Sequence, residues 1–424
     1  MKKLLGTTAL VAAAFATAPA MAADKINIKV GGYFVGGISA SFDSDAGEGI
    51  NRGTTAAVGV AAVAPGSTAA LAAGVDQRTV RFARESEIHF KGSTTLDNGV
   101  EVGVKFELET GEAATDDVMD EAYLWVSGAF GEFQFGAQDG VGDQMPIVAP
   151  SPFLETFAND TDLDPLGGGD SGEGGLFTDA GFSANDNVMT PNSAGIINTV
   201  LDFSGDNEKI IYFTPRLAGF QIGLSYTPEP EELSGDESTG DPFSGNDAWE
   251  NVFEAGITWE YAFNGVDLGV SAVYLTADGT LVNTPDVEDW ALGASVGFAG
   301  FTLGGAYAEK ETDGIAAVNT GQILEDATHW DVGVTYGTGP WTFGVEYAEA
   351  QRDEVGGVGT VGTLLVNGVA TGANIDELDL RAVVTGVAYS LGGGANVTLG
   401  YKYAEDDATN REGSALFTEF GVKF

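Results

Sequence analysis

The feature that most constrains this chain is an apolar residue at every second position, recurring over most of its length. Trp330-Asp331-Val332-Gly333-Val334-Thr335-Tyr336 and Trp341-Thr342-Phe343-Gly344-Val345-Glu346-Tyr347 show it plainly. A period of two places successive side chains on opposite faces of an extended strand, so each such segment predicts a strand with one apolar face and one polar or glycine-bearing face. The pattern also runs through Val100 to Leu108, Phe253 to Tyr261, Val266 to Tyr274, Trp290 to Phe298, Phe301 to Tyr307, Val397 to Tyr403 and Leu416 to Phe424. No helical period competes with it.

The connections come in two alternating sizes. Short ones carry residues that permit hairpin backbone angles: Asp97-Asn98-Gly99, Gly128 to Glu132, Pro215 to Gly219, Asn264-Gly265, Ala299-Gly300, Gly337 to Pro340 and Gly392-Gly393-Gly394. Seven hairpins supply fourteen strands, and a first strand from Ile26 to about Phe42 and a last near Ser414 to Phe424 bring the count to sixteen. Longer connections are expected near 43–77, 111–118, 139–207, 228–248, 278–287, 312–327, 351–375 and 406–412. An even strand number with short turns on one side and long loops on the other describes a transmembrane antiparallel β-barrel. The competing reading is a secreted acidic β-rich binding or structural protein. Against it, aromatic residues recur near strand ends, among them Tyr261, Tyr274, Tyr307, Tyr347, Trp290 and Trp330, where interfacial girdles belong. Gly256, Gly269, Gly293, Gly304, Gly333, Gly344 and Gly400 fall on the opposite, inward face, which cannot pack a dry core. A barrel of about sixteen strands leaves an aqueous channel.

Composition agrees. The 424 residues include 62 Gly and no Cys, and 18 basic against 63 acidic residues give a formal charge of −45. A disulfide scaffold is excluded, and such a charge opposes the phosphate neutralisation on which nucleic-acid binding depends. Lys2 and Lys3, the apolar run Leu10 to Ala16 and Ala20-Met21-Ala22 read as a secretory signal over 1–22, leaving 23–424 as the barrel domain. Beyond it no apolar run reaches the roughly 18 residues that a membrane-spanning helix needs.

Three stretches resemble the Gram-negative general diffusion porins, most closely the alphaproteobacterial branch: Ile28-Lys29-Val30-Gly31-Gly32-Tyr33; Ser86-Glu87-Ile88-His89-Phe90-Lys91-Gly92 leading to Leu96-Asp97-Asn98-Gly99; and Asp120-Glu121-Ala122-Tyr123-Leu124-Trp125-Val126-Ser127-Gly128 with Phe130-Gly131-Glu132. Phe424, after alternating Phe420 and Val422, completes the likeness. The resemblance implies a homotrimer of 16-stranded barrels in an outer membrane of lipid and lipopolysaccharide, with the third long loop folded into the pore. It also implies passage of ions and small hydrophilic solutes without enzyme activity, and a role for Phe424 as an assembly signal.

The third connection, 139–207, is too long for an ordinary loop and is expected to form the constriction. No Lys or Arg occurs from Phe106 through Glu208, whereas most cations outside the leader fall on the first three and last three strands, which barrel closure makes neighbours. Arg81, Glu87, His89 and Lys91 share the inward phase of strand two, and Lys105 lies on strand three; the register of Arg381 is ambiguous. Solvated strand-end charges are the plain alternative, but acids facing bases across a narrow pore would set its selectivity, and the net acidity favours cations. Asp160, Asp162 and Asp164 have the alternate spacing of oxygen ligands for calcium, yet Pro165 and Ser171 replace the glycine and bidentate Glu of the helix–loop–helix site, and solvated acids are the alternative. No other cofactor is required. His89 and His329 are too few and too separated for zinc.

Overall fold

Asn264-Gly265 shows how the chain reverses: both residues take positive φ, 51° and 79°, as a two-residue hairpin demands. All seven short turns close antiparallel hairpins in the computed structural model of the protein, which describes residues 25–42, 80–109, 119–158, 197–230, 249–280, 286–311, 315–316, 322–324, 327–357, 364–366, 369–371, 375–406 and 411–424. The proposed leader, 1–22, lies outside the described residues.

Sixteen strands form the wall. They are β1 (Lys29–Phe42), β2 (Val80–Thr95), β3 (Glu101–Glu109), β4 (Met119–Gly128), β5 (Gly131–Ala137), β6 (Glu208–Phe213), β7 (Phe220–Thr227) and β8 (Trp249–Phe263), then β9 (Val266–Gly279), β10 (Val287–Phe298), β11 (Phe301–Glu311), β12 (Ala327–Thr338), β13 (Trp341–Gly357), β14 (Ile375–Gly392), β15 (Ala395–Asp406) and β16 (Arg411–Lys423). Each pairs with its sequence neighbour, and β1 also pairs with β16 from Tyr33↔Lys423 to Phe42↔Ser414. The sheet is therefore closed, and every strand has two partners. Closure is what lets a sheet stand in lipid, because it leaves no edge of unpaired backbone groups. Among the described residues no helix is long and apolar enough to cross a membrane; a four-residue turn of helix, α1 (Val141–Gln144), follows β5.

One sequence expectation needs correcting. The connection placed at 351–375 is shorter, because β13 runs to Gly357 and β14 starts at Ile375, paired through Arg352↔Leu378 and Val355↔Ile375. Short strands Ile315–Ala316 and Gln322–Leu324 extend the same edge, and Leu364–Val366 pairs with Val369–Thr371. These extensions are paired in register through the backbone, and no alternation marks them in the sequence.

The two faces differ sharply. Outward positions are large and apolar, with Ile257, Val270, Leu292, Leu303, Val332, Phe343, Leu399 and Phe420 all exposed. Aromatic pairs band this face at both ends of the strands: Trp290 with Tyr307 and Trp330 with Tyr347, at 5.4 and 4.9 Å between ring centres, toward the long connections, and Phe301 with Tyr336 and Trp341 with Tyr389, at 4.4 and 4.5 Å, toward the short turns. Such rings present an apolar body to lipid and a polar tip to water.

Candidate functional site

After β5 the chain crosses a long series of strands on their glycine-bearing face. Met145 lies against Gly223 and Gly256, Ile147 against Gly269 and Gly293, Pro150 against Gly304 and Gly333, Pro152 against Gly344, Phe153 against Gly400, and Leu154 against Gly421. These glycines are required by close approach: a Cβ at Gly293 would collide with the Ile147 carbonyl. Phe153 completes the contact by packing on Phe417 at 5.0 Å, and Ala348, Ala350, Ala382 and Val384 form a buried apolar cluster with both.

Three buried carboxylates fasten this segment by its backbone. Glu254 of β8 accepts hydrogen bonds from Gly142 N (2.9 Å), Ser204 Oγ (2.7 Å) and Ser225 Oγ (2.6 Å). Asp331 of β12 accepts from Ala149 N (2.7 Å), Ala306 N (2.9 Å) and the Thr199 hydroxyl. Glu419 of β16 accepts from Leu154 N (2.9 Å), Glu155 N (3.2 Å) and Thr398 Oγ1 (2.8 Å). Ile147 N donates to Ser271 Oγ at 2.8 Å, and on the returning arm Asn198 N donates to His329 Nδ1 at 3.1 Å. Donors aimed at a buried carboxylate form strong, charge-assisted bonds and satisfy an ion that burial would otherwise penalise.

The inner face of β1 to β4 carries a different set. His89 Nε2 lies 2.5 Å from Glu87 Oε2 and its Nδ1 lies 3.2 Å from Glu107 Oε1. Lys105 Nζ stands 2.6 Å from Glu107 and also contacts Glu121, while the Tyr33 hydroxyl donates to Glu87 Oε1 at 2.9 Å. Lys91 Nζ sits 5.0 Å over the Trp125 ring. Of the residues singled out in the sequence, Glu87, His89, Lys91 and Lys105 thus share one face. The Arg81 side chain and Asp160, Asp162 and Asp164 lie outside the described residues. Phe424 closes the seam, exchanging hydrogen bonds with Gly32 at 3.0 and 3.1 Å. Arg381 does not join the inner face: Leu380, Ala382 and Val384 take the buried phase, and Arg381 pairs instead with Asp379 and with Glu405 at 3.2 Å.

The cations of this face are therefore interleaved with acids rather than arrayed alone, and Glu107, Glu121 and Tyr33 escaped the sequence reading because it followed basic residues. Two groups bring three metal-capable atoms within 4.8 Å of one another, Glu87 with His89 and Glu107, and Glu121 with Asp139 and Asp206. Lys105 contacts a carboxylate of each group, Glu107 and Glu121. At the base of the long connection, burial and then the charges of Asp202 and Glu121 push the Asp139 carboxyl up to about 7. Burial and the charges of Asp139, Asp120 and Asp202 push Asp206 up to about 9.

No curated protein matches the sequence. Solved structures with the same fold include the anion-selective porin from Comamonas acidovorans, 12% identical with a TM-score of 0.53 over 94% of this chain and 100% of that one. The outer membrane channel DcaP of Acinetobacter baumannii is 12% identical with a TM-score of 0.54 over 96% and 100% of the two chains. The trimer form of OmpT, an outer membrane protein of Vibrio cholerae, is 13% identical with a TM-score of 0.53 over 95% and 100%. Residues 7–409 match the family described as Gram-negative porin. A closed sixteen-stranded barrel with an apolar exterior and a polar, glycine-lined interior is the architecture that such a match requires, and the chain belongs to the Gram-negative porin family of outer-membrane channels.

Proposed function

We propose that the barrel is a water-filled diffusion channel for ions and small hydrophilic solutes, that residues 139–207 narrow it, and that it prefers cations. The observation that carries this reading is the path of residues 145–154, which touch β7 to β16 in succession. A stretch so short meets that many strands of a closed barrel only from within. Passage would then lie between this segment and the inner face of β1 to β4, where Glu87, His89, Lys91 and Lys105 stand. Arg81, opposite Ser39 in register, belongs to the same proposal.

Cation preference rests on the charge of −45. Homotrimeric assembly, with Phe424 as the assembly signal, is part of the proposal. The Comamonas porin is anion-selective, but at 12% identity only its fold bears on this chain. A zero-current potential under a dilute KCl gradient tests the sign: the cation-selective sign is expected, weakening toward 1 M salt, where the Debye length is about 3 Å. The anion-selective sign would contradict it.

A further inference from the structure

Several cations of the described residues are held by close partners. Lys105, Arg216 and Arg381 are held by carboxylates, and Lys209 by the main-chain carbonyls of Gln138 and Gly205. Lys29, Lys91 and Lys423 are different. They line a single crevice of about 390 Å³, together with Tyr33, His89, Gly32 and the chain-terminal Phe424, and no Asp or Glu side chain lines it. Register explains the convergence: Lys29 faces Lys91 across β1 and β2, and Tyr33 faces Lys423 across β1 and β16. Two of the lysines rest on aromatic faces, Lys91 on Trp125 at 5.0 Å and Lys423 on Tyr33 at 5.9 Å. Glu87 and Glu107, which bond the lining residues Tyr33 and His89, are also shared with Lys105 through Glu107.

Three ammonium groups around one hollow, against the single main-chain carboxylate of Phe424, are unexpected in a chain of charge −45. Crowding like charges costs energy, and an anion placed among them recovers it. A ring face holds an ammonium group without neutralising it, so the full charge stays available to a ligand. Three rotatable donors per lysine suit phosphate oxygens, which lysine meets as a point charge. The hollow lies where β1 begins and β16 ends, at the short-turn end of the barrel.

We propose that this crevice is a binding station for a phosphate dianion, free or as a monoester, on the inner wall near the short-turn end. As a station on a transport path it rests on the channel reading given above. It would slow and concentrate such a solute in a pore whose mean charge disfavours it.

The test uses the full chain purified in detergent, titrated calorimetrically with inorganic phosphate at pH 8 in low salt, and the same protein in planar bilayers. Saturable binding is expected, weakening as KCl rises. Lys91→Gln and Lys423→Gln should each weaken it about fivefold, as loss of one near charge in a watery site predicts, and Lys91→Arg should retain it. Phosphate should lower the KCl current of the parent protein and spare that of the double Gln variant. If that double variant fails to fold, Lys29→Gln alone should give the single-lysine effect. No saturable binding by a conducting protein, or equal binding by the Gln variants, would overturn the proposal. Phosphate binding by a protein that never conducts would overturn the channel reading and leave the crevice standing.

Discussion

The inner wall from β7 to β16 and the inner wall from β1 to β4 are built on opposite rules. The first sets glycine, alanine and serine where the segment crosses, beside buried Leu275 and Phe417, and three of its buried polar groups are carboxylates that the segment's backbone bonds: Glu254 and Glu419 are each 1% exposed and Asp331 is 3% exposed. The second projects long side chains, and its charges pair laterally with one another, as Lys105 does with Glu107 and Glu121. Backbone in contact needs small neighbours and acceptors for its N–H groups. A wall free of such contact needs neither. The difference therefore separates a wall covered by the chain's own backbone from a wall whose charges bond one another.

The largest effect should come from cutting the clamp. Replacing Glu254, Asp331 and Glu419 together by Ala removes three carboxylates that accept from the backbone of residues 142–155, and single-channel conductance should rise severalfold as the segment leaves the wall. A conductance equal to that of the parent would show that these bonds do not hold it. Next in size is a contrast between the walls. Gly293→Val, which drives a side chain into the Ile147 carbonyl, should cost about 1–3 kcal/mol by overpacking. Ser93→Val on the exposed wall should stay within about 0.5 kcal/mol. Thermal unfolding in detergent measures both, and equal losses would erase the distinction.

The smallest effect concerns the base of the connection, where the two walls meet. Asp206 is held up to about 9, above the ~3.9 of an unfolded Asp. The folded form binds its proton more tightly, so the stability due to this group is complete below about pH 4 and falls as pH rises toward 9. Asp206→Asn should thus raise the melting temperature by about 2 °C at pH 9 and leave it unchanged at pH 4. A gain independent of pH would point to another cause.

Much of this architecture is legible in the sequence. Alternation marks most of the strands because lipid outside and water inside force opposite chemistries on neighbouring residues, and the count of sixteen comes from seven hairpin turns with a first and a last strand added. Asn264-Gly265 and its counterparts gave the turns because few residues tolerate positive φ. The strand extensions beyond Arg352 and before Leu378 were silent, since they need no apolar face. The clamp was missed for another reason. The sequence reading sets acids of the connection against wall cations across the pore. The structure instead directs the segment's N–H groups onto wall acids, leaving Phe153 and Leu154 to pack beside them. A signal was present: Glu254-x-Gly256, Asp331-x-Gly333 and Glu419-x-Gly421 each set an inward acid two residues before an inward glycine. Such a pair offers an acceptor beside room for a backbone, which a count of charges does not reveal.

The central claim is that residues 139–158 rest on the glycine wall and leave the passage beside β1 to β4. The chain has no cysteine, so one pair can be introduced cleanly. A Cβ at Gly333 would stand 3.1 Å from that of Ala149, close to the ~3.8 Å mean for a disulfide. The measurement is the single-channel conductance of the Ala149→Cys, Gly333→Cys variant before and after reduction. The account predicts spontaneous cross-linking and the same conductance in both states, because the bond fixes the segment where it already lies. Failure to cross-link, or a conductance that rises on reduction to a new stable level, would place the segment away from the wall and contradict the account.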